Sequence, residues 1–246
     1  MHLNGYTTYL FGCSHTANIQ SECYELIEQR FNCKVNPYCV GGNSNDKIIR
    51  EIKNLLFKLT NGFTKKVNRI YFNIQFTYLN RIEFYSDLEN KYIPFHSKNI
   101  MDQPFGTNVD DFNVIYNKFY TDWVTYFFNE KNRLKTLIEE CYILKTLMEE
   151  WGIKYTWYLW SGINTIELNT EKNLKSENYV FEEDFKKLGF TSLDNFWYIE
   201  DYAKKYKMRY IDNPNLPKDE HLTKESNKIL LEFIVDWFNK KRKNEN

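Results

Sequence analysis

Short apolar runs rich in β-branched and aromatic residues alternate with longer stretches whose apolar positions recur every three or four residues. YTTYLFG (6–12) predicts a buried strand, and ANIQSECYELIEQRFN after it carries Ile19, Cys23, Leu26, Ile27 and Phe31 near helical spacing. CKVNPYCV (33–40) predicts a second strand, interrupted by Pro37 and closed by Gly41-Gly42. SNDKIIREIKNLLFKLTNGF then opens on N-cap residues, shows an i, i+4 apolar face and stops at Asn61-Gly62. VNRIYFNIQFT (67–77) alternates as a third strand.

Beyond Tyr78 the pattern weakens. Residues 78–128 are polar, hold Pro94 and Pro104, and turn aromatic in FNVIYNKFYTDWVTYFF. They read as an insertion with one helix that either covers a cleft or belongs to the core. NEKNRLKTLIEECYILKTLMEEWG (129–152) is an amphipathic helix stopped by Gly152, and IKYTWYLW (153–160) a fourth strand. Residues 161–205 form a second, charged insertion with a helix near LDNFWYIEDYAKKY. MRYID (208–212) predicts a fifth strand and LTKESNKILLEFIVDWFNKKRK the closing helix. Strands alternating with helices imply an α/β fold with a mostly parallel sheet covered on both faces. A chain of 246 residues suits one domain over 1–246 carrying those two insertions.

Composition narrows the function classes. Lys+Arg and Asp+Glu both number 33, so charge gives no reason to expect a nucleic acid or an anionic membrane surface. The basic KKRK near the end suits a helix C-terminus. Aromatic residues make up 18% of the chain, which composition bias explains as well as a stacking surface does. Five cysteines, an odd number without paired CxxC spacing, and four scattered histidines argue against a disulfide framework and a zinc site. With no basic-then-apolar opening segment and no membrane-length apolar run, a reduced, cytoplasmic setting is expected.

The chemistry gathers at YLFGCSHTAN (9–18), where Cys13, Ser14, His15 and Thr16 follow a strand that ends on Gly12. The C-terminal edge of an open α/β sheet is where ligands bind. A helix starting there offers unpaired N–H groups to an oxyanion. Ser14 reads as a nucleophile or as an N-cap. Cys13 precedes the turn and reads as a small buried residue, and His15 as a flank of the cleft. In LPKDEHLTKES, Asp219 and His221 lie two apart, so an extended loop turns both to one side and lets the carboxylate fix the imidazole tautomer. Asn43, Arg81 and Glu83 are candidates to touch a polar substrate, although Arg81 and Glu83 equally suit an exposed ion pair. GGNSN has the wrong spacing for a phosphate loop.

FGCSHT, VGGNSNDKIIR and DEHLT, in this order and on these elements, resemble the blocks of the SGNH (GDSL-like) hydrolases. The resemblance implies a three-layer, flavodoxin-like α/β/α sandwich of about five strands and a serine esterase or acyl hydrolase without metal or cofactor. It makes Ser14 the nucleophile, His221 the base and Asp219 its orienting acid. Ser14 and Gly42 would supply oxyanion-hole N–H groups. Three departures stand out: Cys13 replaces the usual Asp, Asp219 and His221 are one residue closer than is common, and the third-block Gly-x-Asn is absent. Thr77 holds the approximate place of that Asn, with Gln75 and Asn80 as alternatives. A small-molecule or carbohydrate O-acyl ester is the substrate so implied. A catalytically inactive SGNH-like module, binding or structural and perhaps viral, is the second reading.

Overall fold

The computed structural model describes residues 5–13, 16, 28, 32–40, 43–79, 81–87, 90–95, 122, 129–160, 183–192, 198–210, 221–230 and 232. Four parallel strands form the central sheet: β1 (Thr7–Gly12), β2 (Lys34–Cys39), β3 (Ile70–Phe76) and β6 (Lys154–Leu159). A separate antiparallel hairpin joins β4 (Ile82–Ser86) to β5 (Lys91–Phe95). The helices bounded throughout are α1 (Asn45–Leu59), α2 (Glu130–Glu150) and α3 (Ile199–Lys205), and residues 183–188 and 224–230 are also helical.

The sheet order β2-β1-β3-β6 places β1 and β3 side by side in the middle, paired so that Phe11 faces Ile74. Pro37 is accommodated because β2 stands at the edge of the sheet among the described residues, paired there with Leu10 of β1. Alternation along β6 divides the interior. Trp157 and Leu159 join the cluster under α1 and α2 with Phe11, Phe72, Ile74 and Phe76. Tyr158 and Trp160 join a second cluster with Ile199, Tyr202 and Ala203 of α3 and with Leu222 and Leu230. Helices therefore cover both faces, and the α/β expectation holds.

Both long helices begin and end where their polar residues dictate. The Ser44 hydroxyl accepts the Lys47 N–H at 3.1 Å and the Asn129 side chain accepts the Asn132 N–H at 2.9 Å. Past α2, Gly152 takes φ +81, and Ile153 N–H bonds the Met148 carbonyl at 2.8 Å.

Two expectations change. The first insertion, read as carrying one helix, opens with the β4–β5 hairpin. The polar content and Pro94 hid it, yet Pro94 sits on a two-stranded edge opposite Glu83, where a missing N–H is tolerated. Of the helix expected further along, only Asp122 is described, and it is helical. The strand expected at 208–212 does not enter the main sheet among the described residues. Tyr210 forms a single antiparallel bridge with Leu222, while Tyr198 bridges Leu159 in parallel at the β6 edge. The sheet thus has four described strands rather than about five.

Candidate active site

The chain runs from β1 outward to β2 and then back past β1 to β3, so the order reverses between β1 and β3. At such a reversal the connections of an open α/β sheet diverge, and ligands bind at the carboxyl ends of the strands. Everything that follows lies at or beside those ends.

At the end of β1 the packing is close. A β-carbon on Gly12 would lie 2.0 Å from Thr16 Oγ1 and 3.1 Å from Gln75 Oε1. Thr16, helical and 2% exposed, thus closes directly over the strand end. Cys13 is fully buried, as a packing residue should be. The Asn43 amide donates to the Gly12 carbonyl at 2.9 Å, which ties the segment after β2 to the end of β1. Tyr158 is buried beside this turn. Burial raises its phenol pKa; the Asn73 and Thr16 side chains oppose the rise, and the Cys13 and Cys39 thiols add to it. The hydroxyl stays protonated and available as a donor.

At the end of β3, polar side chains stand where an apolar strand would put none. Gln75 and Thr77 are fully buried, and neither amide atom of Gln75 nor the Thr77 hydroxyl has a hydrogen-bond partner among the described residues. The Thr77 main chain is engaged: its N–H donates to Asn45 Oδ1 at 2.7 Å, and Asn45 Nδ2 donates back to its carbonyl at 3.2 Å. Whatever Thr77 gives a ligand must therefore come from its hydroxyl. Four residues later Arg81 is 8% exposed, with its guanidinium 4.8 Å from the Tyr78 ring centroid.

The far end of the sequence reaches the same region. His221 is half-buried with its Nε2 atom inside, and Leu222 beside it belongs to the cluster that holds Tyr78 and Tyr158. Of the residues singled out in the sequence, Asn43, Thr77, Gln75, Arg81 and His221 are described. Ser14, His15, Gly42, Asn80 and Asp219 lie outside the described residues.

Sequence reading missed Asn45, which it took only as a cap candidate, and the buried polar file that Asn73 forms with Gln75, a residue it had weighed as an oxyanion donor. The signal for the latter was present, since YFNIQF puts both on one parity of an otherwise apolar strand. Glu83 is corrected: it is no exposed partner of Arg81 but meets Arg50 of α1, its side chain 2% exposed. Burial raises its carboxyl pKa, and Arg50 restrains the rise.

No protein-family model and no curated protein matches the sequence. Among solved structures, the chain is similar to the psychrotrophic esterase EstA from a Pseudoalteromonas species, in a structure inhibited by monoethylphosphonate. The match covers 95% of this chain and 98% of that one at 11% identity and a TM-score of 0.46. A likeness of that depth has no bearing on activity.

Proposed function

We propose that the chain is an SGNH-type serine hydrolase that cleaves an ester through a covalent acyl-enzyme. The observation that carries this reading is the reversal of strand order between β1 and β3. It pairs β1, the strand that Ser14 follows in the sequence, with β3, at whose end the polar side-chain atoms of Gln75 and Thr77 are buried with no hydrogen-bond partner among the described residues.

In the proposed reaction the Ser14 hydroxyl attacks the substrate carbonyl carbon while His221 takes its proton. Asp219 holds the imidazole tautomer and stabilises the imidazolium. The carbonyl oxygen becomes an oxyanion that the Ser14 and Gly42 N–H groups receive, together with the Thr77 hydroxyl or the Gln75 amide. His221 then gives its proton to the departing alkoxide. Water, activated by the same imidazole, attacks the acyl-enzyme, and Ser14 regains its proton as the carboxylic acid leaves. A small O-acyl group such as acetyl on a carbohydrate is the substrate class proposed. Transfer to another hydroxyl would use the same residues.

A non-catalytic module of the same fold is the second reading. It is favoured by one observation: Asn45 already holds the Thr77 N–H, so the residue in the place of the usual oxyanion-hole Asn has only its hydroxyl to offer.

An active-site fluorophosphonate probe separates the two. Wild type is expected to be labelled and Ser14→Ala to stay unlabelled. His221→Ala is expected to lose turnover of 4-nitrophenyl acetate while unfolding at the same urea concentration as wild type. A folded wild type that takes up no label would defeat the hydrolase reading.

A further inference from the structure

Three described arginines are partly or wholly withdrawn from water, and they differ in what faces them. Arg50, its side chain 30% exposed, meets Glu83 and lies 3.7 Å from the Tyr92 ring centroid. Arg133, 24% exposed, meets Asp46 at 3.0 Å. Arg81, at 8%, is the most deeply buried of the three and meets no carboxylate among the described residues. Its Nη1 atom is inaccessible to solvent and has no hydrogen-bond partner there. The Tyr78 ring lies under the guanidinium carbon. A ring face attracts the charge but accepts none of the in-plane N–H donors of the fork.

A guanidinium cannot shed its charge by deprotonating. A buried, uncompensated cation is unfavourable unless an anion arrives to pair with it. Planar and forked, the group pairs bidentately with a carboxylate or a phosphate, and a carboxylate brings the single charge that one guanidinium balances. Its place in the fold says where such an anion would come from. Arg81 closes the segment that leaves the carboxyl end of β3, its N–H bonded to the Tyr78 carbonyl at 3.3 Å. Thr77, at the start of that segment, is pinned to α1 by Asn45. The Tyr78 ring that the guanidinium faces shares a cluster with Tyr158 and with Leu222, the neighbour of His221, so the guanidinium lies on the side of the sheet where the proposed ester would sit.

We infer that Arg81 is a specificity residue that binds a carboxylate carried by the ester substrate. The inference rests on the hydrolase reading for the word substrate, but not for the anion site itself. The substrate class narrows accordingly from O-acyl esters in general to esters with a free carboxylate at a distance from the scissile bond, such as acylated acidic sugars or hemiesters of dicarboxylic acids.

Two measurements on the full chain test it. The first compares 4-nitrophenyl hydrogen adipate with neutral 4-nitrophenyl hexanoate, after subtracting spontaneous hydrolysis. Wild type is expected to favour the charged ester by about 10- to 100-fold in kcat/KM, mostly through KM, the range a charge-assisted hydrogen bond supplies. In Arg81→Gln that ratio falls to about 1, and Arg81→Lys, which keeps the charge but loses the fork, lies between. An equal ratio in wild type and Arg81→Gln would overturn the proposal. The second measures the melting temperature with monomethyl adipate or dimethyl adipate at matched ionic strength. Stabilisation of wild type by the monoester alone, absent in Arg81→Gln, supports the anion site even where no ester is turned over, so its fate is separable from that of the hydrolase. If Arg81→Gln does not fold, Arg81→Lys carries both comparisons. Stabilisation by inorganic phosphate but not by monomethyl adipate would overturn the carboxylate assignment.

Discussion

At Gly12 the volume that a side chain would need is already occupied. An ideal β-carbon there falls 2.0 Å from Thr16 Oγ1 and 2.7 Å from Thr16 Cβ, both belonging to a 2%-exposed residue with little room to retreat. Glycine is required here by closeness of approach. Gly12→Ala is expected to cost about 1–3 kcal/mol, the usual range for overpacking. Adding Thr16→Ala removes the nearest atom and recovers part of the loss. Urea titration of the single and double variants checks both statements; an unshifted midpoint for Gly12→Ala would refute the crowding. The residue scale also shows the limit of sequence reading. YLFGCSHTAN announces a strand ending in a tight turn with reactive side chains. Which carbonyls and amides that turn meets depends on Asn43, Gln75 and Thr16, whose approach no local pattern encodes.

Helix α1 connects most of the surroundings of the crevice. Its first residue, Asn45, holds both main-chain groups of Thr77, and Arg50 reaches the hairpin through Glu83. Asp46 and Lys53 meet Arg133 and Glu140 of α2. The two pairs to α2 are partly exposed, so each contributes only about 0–1 kcal/mol; the buried apolar stripe of Ile48, Ile52, Leu55 and Leu56 holds the helix to the sheet. Between the pairs lies Glu51, whose carboxyl pKa is raised chiefly by burial, against the lowering by Lys47 and Arg50. A carboxylate with a raised folded pKa favours the folded state below its ordinary value of about 4.3, and that contribution is lost as pH rises through the folded value. Glu51→Gln never ionises and escapes the loss. Its stability relative to wild type is therefore expected to improve from pH 4 to pH 7, measured by urea unfolding at both. A relative stability that is flat or declines with pH would show that Lys47 and Arg50, not burial, govern this carboxyl. The caps and the apolar stripe of α1 were legible in the sequence, because they repeat with the helix itself. The partners of Asn45 and Arg50 were not, since they come from strands and turns 32 and 33 residues away.

Across the whole molecule, the chain after β6 comes back to pack on the face of the sheet it has just left. The Phe190 ring stacks on Trp157 at 5.0 Å and 19°, the Thr191 N–H donates to the Trp157 carbonyl, and the Trp157 indole donates to the Leu188 carbonyl. Phe190→Ala is expected to cost about 3–5 kcal/mol, with loss of the near-ultraviolet signal of a rigid tryptophan. A loss below about 1 kcal/mol would mean that this return is peripheral to the core, since it would fall well short of that range. The sequence by itself determined the alternation of strands and helices, the N-cap of α1, the stop of α2 at Gly152 and the α/β class. Each of these follows from periodicity and cap chemistry within a few residues. Only the tertiary structure decided the order β2-β1-β3-β6, the hairpin that opens the first insertion, and the capture of Glu83 by Arg50. It also decided that Arg81 is buried without a carboxylate among the described residues. The physical reason is common to all of them: pairing and burial depend on which distant segment fills a given space, and a one-dimensional pattern records only that a face is apolar, not what will cover it.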